Sequence, residues 1–262
     1  MHQNNNMIPD GKATTAISVN SVIVKFFGTF SITTNLGTLT ESEITSSLAI
    51  RLIVFLLSNS KRKVSKHELA NILWTNTELA SPIKQVQNTV YRTRKILAPI
   101  SPQNLISSDR TGNYFINPYF SIITDTDIFD HYYNLGIQSN IPQKDKIAYL
   151  TEAIRTYTSD FLPNYIGDTW LDNQRTYYHL SYLQAVLILL PLLYQEQSYS
   201  KIHDISSAAL LHEPNNSDIH FWHIRAMYNL GGIDVAQKHF LQHSSKLYDE
   251  QRNFLKHVLF TT

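Results

Sequence analysis

Apolar residues in the first part of the chain switch between the period of a strand and the period of a helix. Val22–Phe27 is rich in β-forming residues and Phe30–Thr33 alternates, with Gly28 between them, so this stretch predicts a β-hairpin. Apolar residues then recur every three or four positions over 46–58, which predicts an amphipathic helix. Residues 1–19 are mostly polar, lack a long apolar run and are predicted to form a disordered N-terminal tail.

Two strong helix starts follow this first helix. Ser65 and Glu68 have the spacing of a capping box, in which each side chain accepts from the amide of the other residue. Ser81 stands where an N-cap residue belongs, and Pro82 follows at the first helical position, where its missing N–H costs nothing. The pattern therefore predicts a short helix after Ser65 and a longer helix over 82–97.

A second hairpin closes this region of the chain. Leu105–Ser107 and Tyr114–Ile116 flank a turn-forming segment over 108–112, which places Arg110 at the tip of the hairpin. Strands, three helices and a closing hairpin with a basic tip are the parts of a winged helix-turn-helix. We therefore predict an α+β winged helix-turn-helix domain over residues 20–118.

The helix over 82–97 has the features of a DNA-recognition helix. Its inward face is predicted to carry Ile83, Val86, Val90 and Leu97. The outward stripe is predicted to carry Lys84, Asn88, Tyr91, Arg92 and Lys95, flanked by Gln87 and Arg94. The helix contains no acidic residue, whereas an ordinary solvated helix face usually interleaves Glu with Lys.

This stripe predicts double-stranded DNA as a partner. Cations neutralise phosphates, and Asn, Gln and Arg side chains can read base edges in the major groove. Arg94 and the basic turn Lys61, Arg62 and Lys63 are predicted to hold phosphates. Arg110 is predicted to reach the adjacent minor groove or the DNA backbone.

Beyond residue 120 the pattern is helical, and we predict an all-α domain over 121–262. Tyr199, Ile202 and Leu210 lie 34 residues before Ile233, Ala236 and Ser244. Thirty-four residues is the tetratricopeptide period, with two helices per unit. The apolar run over 183–194 is shorter than the roughly 18 residues of a membrane span and contains a proline, so it is interpreted as a buried, kinked core helix with no role in a membrane.

The order of these motifs resembles the Streptomyces antibiotic regulatory protein (SARP) family of transcription regulators. Segments at 24–30, 64–74, 90–95 and 112–117 are similar to the OmpR-type winged helix of that family, and segments at 124–129, 161–175, 210–214 and 229–236 are similar to the tetratricopeptide-like bacterial transcriptional activator domain that follows it. Thr93 departs from the family pattern, which usually has an apolar residue there, and Asn113 interrupts the usual Gly-Tyr of the wing. The resemblance implies an activator that binds direct repeats near a promoter as side-by-side protomers and contacts the sigma subunit of RNA polymerase.

Charge and composition agree with this interpretation. Residues 1–120 carry 12 Lys and Arg against 6 Asp and Glu, a net charge of +6, while residues 121–262 carry 10 against 15, a net charge of −5. This asymmetry suggests that the basic half of the chain binds a polyanion and that the acidic half has a different function. The chain has no cysteine, which excludes disulfides, thiolate metal sites and a Cys nucleophile. Together with the absence of an apolar secretion signal near residue 1, this predicts a cytoplasmic protein of bacterial type.

Other groups of residues could indicate a metal site or an enzyme. His220 with His223 and His239 with His243 have helical spacings, but neither pair supplies the third ligand and carboxylate of a zinc site, so no metal is predicted. Asp125 and Asp127 are interpreted as helix-capping residues. No nucleophile elbow or phosphate-binding loop is present, so neither a cofactor nor an enzymatic activity is expected. The alternative function is a peptide- or protein-binding repeat adaptor whose winged helix serves as an interaction module.

Overall fold

The computed structural model describes residues 18–74, 81–101, 103–165 and 169–260. Its strands are β1 (Ser21–Lys25), β2 (Ser31–Thr34), β3 (Gly37–Thr40), β4 (Val64–Ser65), β5 (Ile106–Ser108), β6 (Asn113–Ile116) and β7 (Ser121–Thr124). Its helices are α1 (Ser47–Ser58), α2 (Lys66–Leu73), α3 (Pro82–Leu97), α4 (Asp125–Gly136), α5 (Gln143–Thr156), α6 (Thr169–Gln195), α7 (Tyr199–His212), α8 (Ser217–Asn229), α9 (Ile233–His243) and α10 (Asp249–Phe260). The predicted tail falls outside the described residues up to residue 17.

The chain divides into two compact units. The first comprises residues 1–128 and 162–172, and the second comprises residues 129–161 and 173–262. This division differs from the predicted ranges 20–118 and 121–262. Strand β7 joins the first unit because it pairs in parallel with β1, and the segment after residue 161 joins it because the Leu162 amide donates to the Phe26 carbonyl over 3.0 Å.

The first unit opens with a four-stranded sheet in the order β3-β2-β1-β7. The predicted hairpin is confirmed: β1 and β2 are antiparallel, with Val24 opposite Ile32. Val22, Val24 and Ile32 are fully buried, as the alternation of apolar and polar residues requires.

Three helices and a second sheet complete the first unit. Helix α3 packs against both α1 and α2, and the shared core includes Leu52, Leu56, Leu69 and Val90. The second sheet has the order β4-β6-β5, in which β5 and β6 form the predicted hairpin. The predicted fold class, a winged helix followed by an all-α domain, is confirmed.

The second unit is entirely helical among the residues that the structure describes. Helix α7 packs on α8, α8 on α9, and α10 on both α8 and α9. Helix α9 begins at Ile233, 34 residues after the start of α7 at Tyr199, so the repeat seen in the sequence is a repeat of helices. Ile202 and Ala236 are both fully buried at equivalent positions.

Helix α6 is longer than the apolar run within it. It spans 27 residues with Pro191 in its interior, and by length and composition it could cross a membrane. The apolar run over 183–194 is too short for a membrane span, as predicted, but the whole of α6 is long enough. Tyr182, Val186, Leu189 and Leu193 of α6 are buried, which is the pattern of a core helix in the second unit.

Candidate nucleic-acid interface

Helix α3 begins and ends where the sequence predicts. Pro82 occupies the first helical position, and the Ser81 carbonyl accepts from the Gln85 amide, although the Ser81 side chain makes no capping bond. Val86, Val90 and Leu97 are buried as predicted, while Ile83 is only partly buried. The apolar face thus fixes the rotation of α3 about its axis and determines which side chains face solvent.

The solvent-facing side of α3 carries the predicted stripe. Its exposed residues are Lys84, Gln87, Asn88, Tyr91, Arg92 and Lys95. Tyr91 is 59% exposed, and the Lys95 ammonium lies 4.8 Å from the centroid of its ring, so the two side chains stack one turn apart. Because α3 contains no carboxylate, the positive charge of the stripe is not neutralised within the helix.

Thr93 fits the inner face of α3 without an unsatisfied hydroxyl. It is fully buried, and its hydroxyl donates to the carbonyl of Thr89 over 2.8 Å. A helical Ser or Thr commonly satisfies itself in this way. The departure from the family pattern therefore leaves the presentation of the stripe intact.

Arg94 is placed differently from the rest of the predicted contacts. Its side chain is partly buried, Nε donates to the Ile106 carbonyl over 2.9 Å, and Nη2 donates to the Ser108 hydroxyl over 3.2 Å. Both partners lie on β5, the first strand of the wing. Arg94 therefore joins α3 to the wing and positions these two elements, and its predicted contact with phosphate stays a prediction.

The wing is a short hairpin with Arg110 exposed in its turn. The Asp109 carboxylate accepts from the Thr111 hydroxyl over 2.6 Å, from the Thr111 amide over 3.1 Å and from the Asn113 amide over 3.0 Å. These bonds hold the pKa of Asp109 well below its usual range, with the Thr111 hydroxyl contributing most. Gly112 has a φ of +85°, a left-handed conformation that glycine adopts without strain.

The basic turn over 61–63 is largely paired with acids. Arg62 holds Glu68 through two hydrogen bonds of 2.6 and 3.1 Å, and Lys63 lies 3.1 Å from Asp109. Arg62, and more weakly the Ser65 amide, lowers the pKa of Glu68. Lys61 is different: its side chain is 91% exposed and lies 3.7 Å from Asp127. All three predicted phosphate contacts are exposed, and Lys61 is the most exposed of them.

One basic residue of this region was not predicted. The Lys66 side chain passes over the wing turn, so a Cβ built on Gly112 would lie 3.1 Å from Lys66 Cδ. Its proximity to the wing depends on the pairing of β4 with β6 and has no signal in the local sequence.

The two aspartates at the start of α4 have separate structural roles. Asp127 and Thr124 form the cap, since the Thr124 hydroxyl accepts from the Asp127 amide over 2.8 Å. The Asp125 carboxylate instead accepts from the amides of Phe26 and Phe27, each at 2.9 Å, at the end of β1. Burial raises the pKa of Asp125 to about 6 against the opposing effect of these amides. The interpretation of both residues as caps of α4 is correct for Asp127 and misses the actual partner of Asp125.

Metal-binding geometry is not found in the part of the chain that the structure describes. No group of three or more His, Asp or Glu side chains there is arranged to hold a metal ion. The two histidine pairs noted in the sequence do meet, however, on facing sides of α8 and α9.

Comparison with known proteins supports the fold. Mycobacterium tuberculosis EmbR, solved in complex with a low affinity phosphopeptide, is similar to this chain with a TM-score of 0.65 and 15% sequence identity. The similarity covers 91% of this chain and 64% of EmbR, so the chain spans a little less than two thirds of EmbR. No protein-family model and no curated protein matches the chain.

Proposed function

We propose that this protein is a sequence-specific DNA-binding transcription regulator of the SARP type, located in the cytoplasm. The observation that carries the proposal is the outward face of α3, where three cations, three amides (Gln85, Gln87 and Asn88) and a phenol are exposed on a helix that has no acid. A helix that enters the major groove needs this combination, because it must both neutralise phosphates and read base edges.

The positions of the polar residues along α3 suggest two kinds of contact with DNA. Lys84 and Lys95 at the two ends of the stripe are suited to phosphate contacts, while Asn88 and Arg92 between them are suited to base edges. Arg110 in the wing turn and the exposed Lys61 extend the basic surface. Arg94 holds the wing against α3, so that both elements engage DNA together.

The more specific parts of the proposal, which concern the DNA site, activation and RNA polymerase, rest on the resemblance noted in the sequence. By analogy with the SARP family, the protein binds direct repeats as adjacent protomers, activates transcription and contacts the sigma subunit of RNA polymerase. The acidic helical unit is the candidate for the protomer or polymerase contact.

Capture of genomic DNA tests this proposal. The full chain and a variant with Lys84→Ala, Arg92→Ala and Lys95→Ala are each incubated with fragmented genomic DNA from the source organism, and the bound fragments are sequenced. All three side chains are exposed, so the variant is expected to fold. Enrichment of a discrete direct-repeat site by the native chain alone supports the proposal, whereas equal enrichment by both proteins removes α3 from the interface.

A further inference from the structure

Five imidazole rings, two of them buried, lie close together on α7, α8 and α9 of the second unit. We refer to His203 of α7, His220 and His223 of α8, and His239 and His243 of α9 as the histidine cluster. His220 and His223 are 2% and 4% exposed. The cluster joins the three helices at their shared contact surface.

The rings are close enough that charge on one of them acts on the others. The centroid of the His239 ring lies 4.8 Å from that of His223, 5.4 Å from that of His220 and 4.4 Å from that of His243. The rings of His203 and His223 stack at 5.1 Å, and those of His220 and His243 stack at 4.7 Å.

Neutral rings can satisfy the hydrogen bonds of the cluster. His220 Nε2 lies 3.0 Å from the Pro214 carbonyl, which can only accept, so this nitrogen carries the proton. His220 Nδ1 is then an acceptor, and it receives the Nε2–H of His239 over 3.1 Å. A proton added to His220 Nδ1 makes this nitrogen a donor, so the bond between α8 and α9 then needs the His239 proton to move from Nε2 to Nδ1.

The second link, between α7 and α8, runs through the Ser206 hydroxyl. When this hydroxyl donates to the Ile202 carbonyl over 2.6 Å, its oxygen accepts from His223 Nδ1 over 2.8 Å. His223 Nε2 is therefore the nitrogen that remains open to a proton, in a buried site beside the His239 ring.

The surrounding charges oppose protonation. Lys246, just after α9, lies close enough to disfavour the charged forms of His220, His239 and His243. Asp204 of α7 lies 3.3 Å from His203, and this carboxylate is exposed. Burial and the neighbouring rings lower the pKa of His223 to about 3, and burial followed by His243 lowers the pKa of His239 to about 4.

We propose that the histidine cluster makes the second unit an acid-sensitive module, in which the packing of α7, α8 and α9 opens when the pH falls below the ordinary titration range of histidine. In the open state the rings of His223 and His239 are solvated and take up protons, whereas in the packed state these two rings stay neutral. The stabilisation by neutral rings is complete above pH 6.5 and is lost as the pH falls from 6.5 toward 4, so acid drives opening. A protein built in this way can change its helical unit in response to acid stress while β1 to β7 and α1 to α3 remain folded.

Hydrogen exchange of the full-length protein tests this inference. Opening constants of amides in α7, α8 and α9 are measured between pH 7 and pH 5 and corrected for intrinsic exchange rates. Uptake of two protons, by His223 and His239, raises the opening constant by about 100-fold for each pH unit below 6. The amides of α1 provide the contrast, because Asp125 predicts that their opening constants fall, and do not rise, as the pH is lowered.

Single-site variants show which histidines take up the protons. His239→Gln and His223→Gln each remove one titrating ring, so each reduces the slope of the logarithm of the opening constant against pH by about one. His67→Gln, at an exposed histidine of α2, is the matched control and leaves the slope unchanged. If either cluster variant fails to fold, the slope of the native protein still decides: a value below one between pH 6 and pH 5 overturns the inference, as does a native slope in a folded His239→Gln variant.

Discussion

The Arg94 guanidinium donates to the Ile106 carbonyl over 2.9 Å, which fixes a side chain of α3 to the first strand of the wing. Arg94 is only two positions from Arg92, but the two residues have different environments: Arg92 is exposed to solvent and Arg94 is partly buried. Experiment can therefore separate these two cations of α3 into a proposed DNA-contact residue, Arg92, and a positioning residue, Arg94.

Replacing Arg92 is expected to weaken DNA binding directly. Arg92→Ala removes an exposed guanidinium, so the free energy of unfolding should stay within about 0.5 kcal/mol of the native value. If Arg92 reads a base, affinity for the operator falls by about 1–3 kcal/mol and specificity at that base relaxes. Fluorescence anisotropy with operator variants measures both quantities. Arg155→Ala, at an exposed Arg of α5, is the control, and operator affinity equal to that of the native protein would exclude Arg92 from the interface.

Replacing Arg94 is expected to act through the wing. Arg94→Lys keeps the positive charge but cannot make both bonds to β5, so the free energy of unfolding of the first unit falls by about 1–3 kcal/mol. Affinity for DNA falls as well, because the wing that carries Arg110 is displaced. A drop of about one in the salt slope of Arg94→Ala, with native stability, would instead assign Arg94 to a phosphate contact.

Gly112 is expected to be intolerant of a side chain. Gly112→Ala strains a residue at φ +85° and places a methyl group 3.1 Å from Lys66 Cδ, so it should cost about 1–2 kcal/mol of stability and weaken DNA binding. Gly231→Ala is a matched control, because Gly231 has a φ of +84° but open space around its Cα. Urea unfolding compares the two. Equal losses of stability with native DNA affinity in both would show that the contact with Lys66 has no effect on the wing.

Asp125 gives the first unit a pH dependence opposite to that of the histidine cluster. Because its pKa in the folded protein, about 6, exceeds the ordinary value of 3.8, the stability associated with this group is complete below pH 3.8 and is lost as the pH rises through 6. Relative to Asp125→Asn, the native first unit should therefore gain up to about 3 kcal/mol between pH 7 and pH 4. Hydrogen exchange of amides in β1 and α1 measures this difference. A difference that is constant with pH, or that has the opposite sign, would contradict the assignment.

Local sequence was enough to predict the elements that form the candidate interface. Ser81 and Pro82 mark the start of α3, and the spacing of Val86, Val90 and Leu97 determines which of its faces is exposed. Both signals act within a few turns of helix and need no knowledge of distant residues.

Partners that lie far apart in the sequence could not be predicted in the same way. Lys63 is neutralised by Asp109, which is 46 residues away, because β4 pairs with β6 beside the wing turn. The Asp125 carboxylate caps the end of β1, 98 residues earlier at Phe27, because β7 pairs in parallel with β1. Each of these contacts follows from strand pairing, which periodicity does not specify.

The histidine cluster shows the same limit. The spacings of His220 with His223 and of His239 with His243 predict that each pair shares one face of a helix. Only the packing of α8 against α9 turns the two faces toward each other, and only then do four separate side chains become one interacting group.

The most direct test of the central claim is a salt titration of binding between the full chain and the genomic site recovered by capture. Each phosphate neutralised contributes about 0.9 to the slope of log affinity against log salt concentration, so phosphate contacts from Lys84, Lys95 and Arg110 predict a slope of about −3 or steeper per protomer. Lys84→Ala should make that slope shallower by about one, with the same site still preferred. Affinity that is independent of salt, or equal affinity for the recovered site and unrelated DNA, would contradict the account of this protein as a sequence-specific DNA-binding regulator.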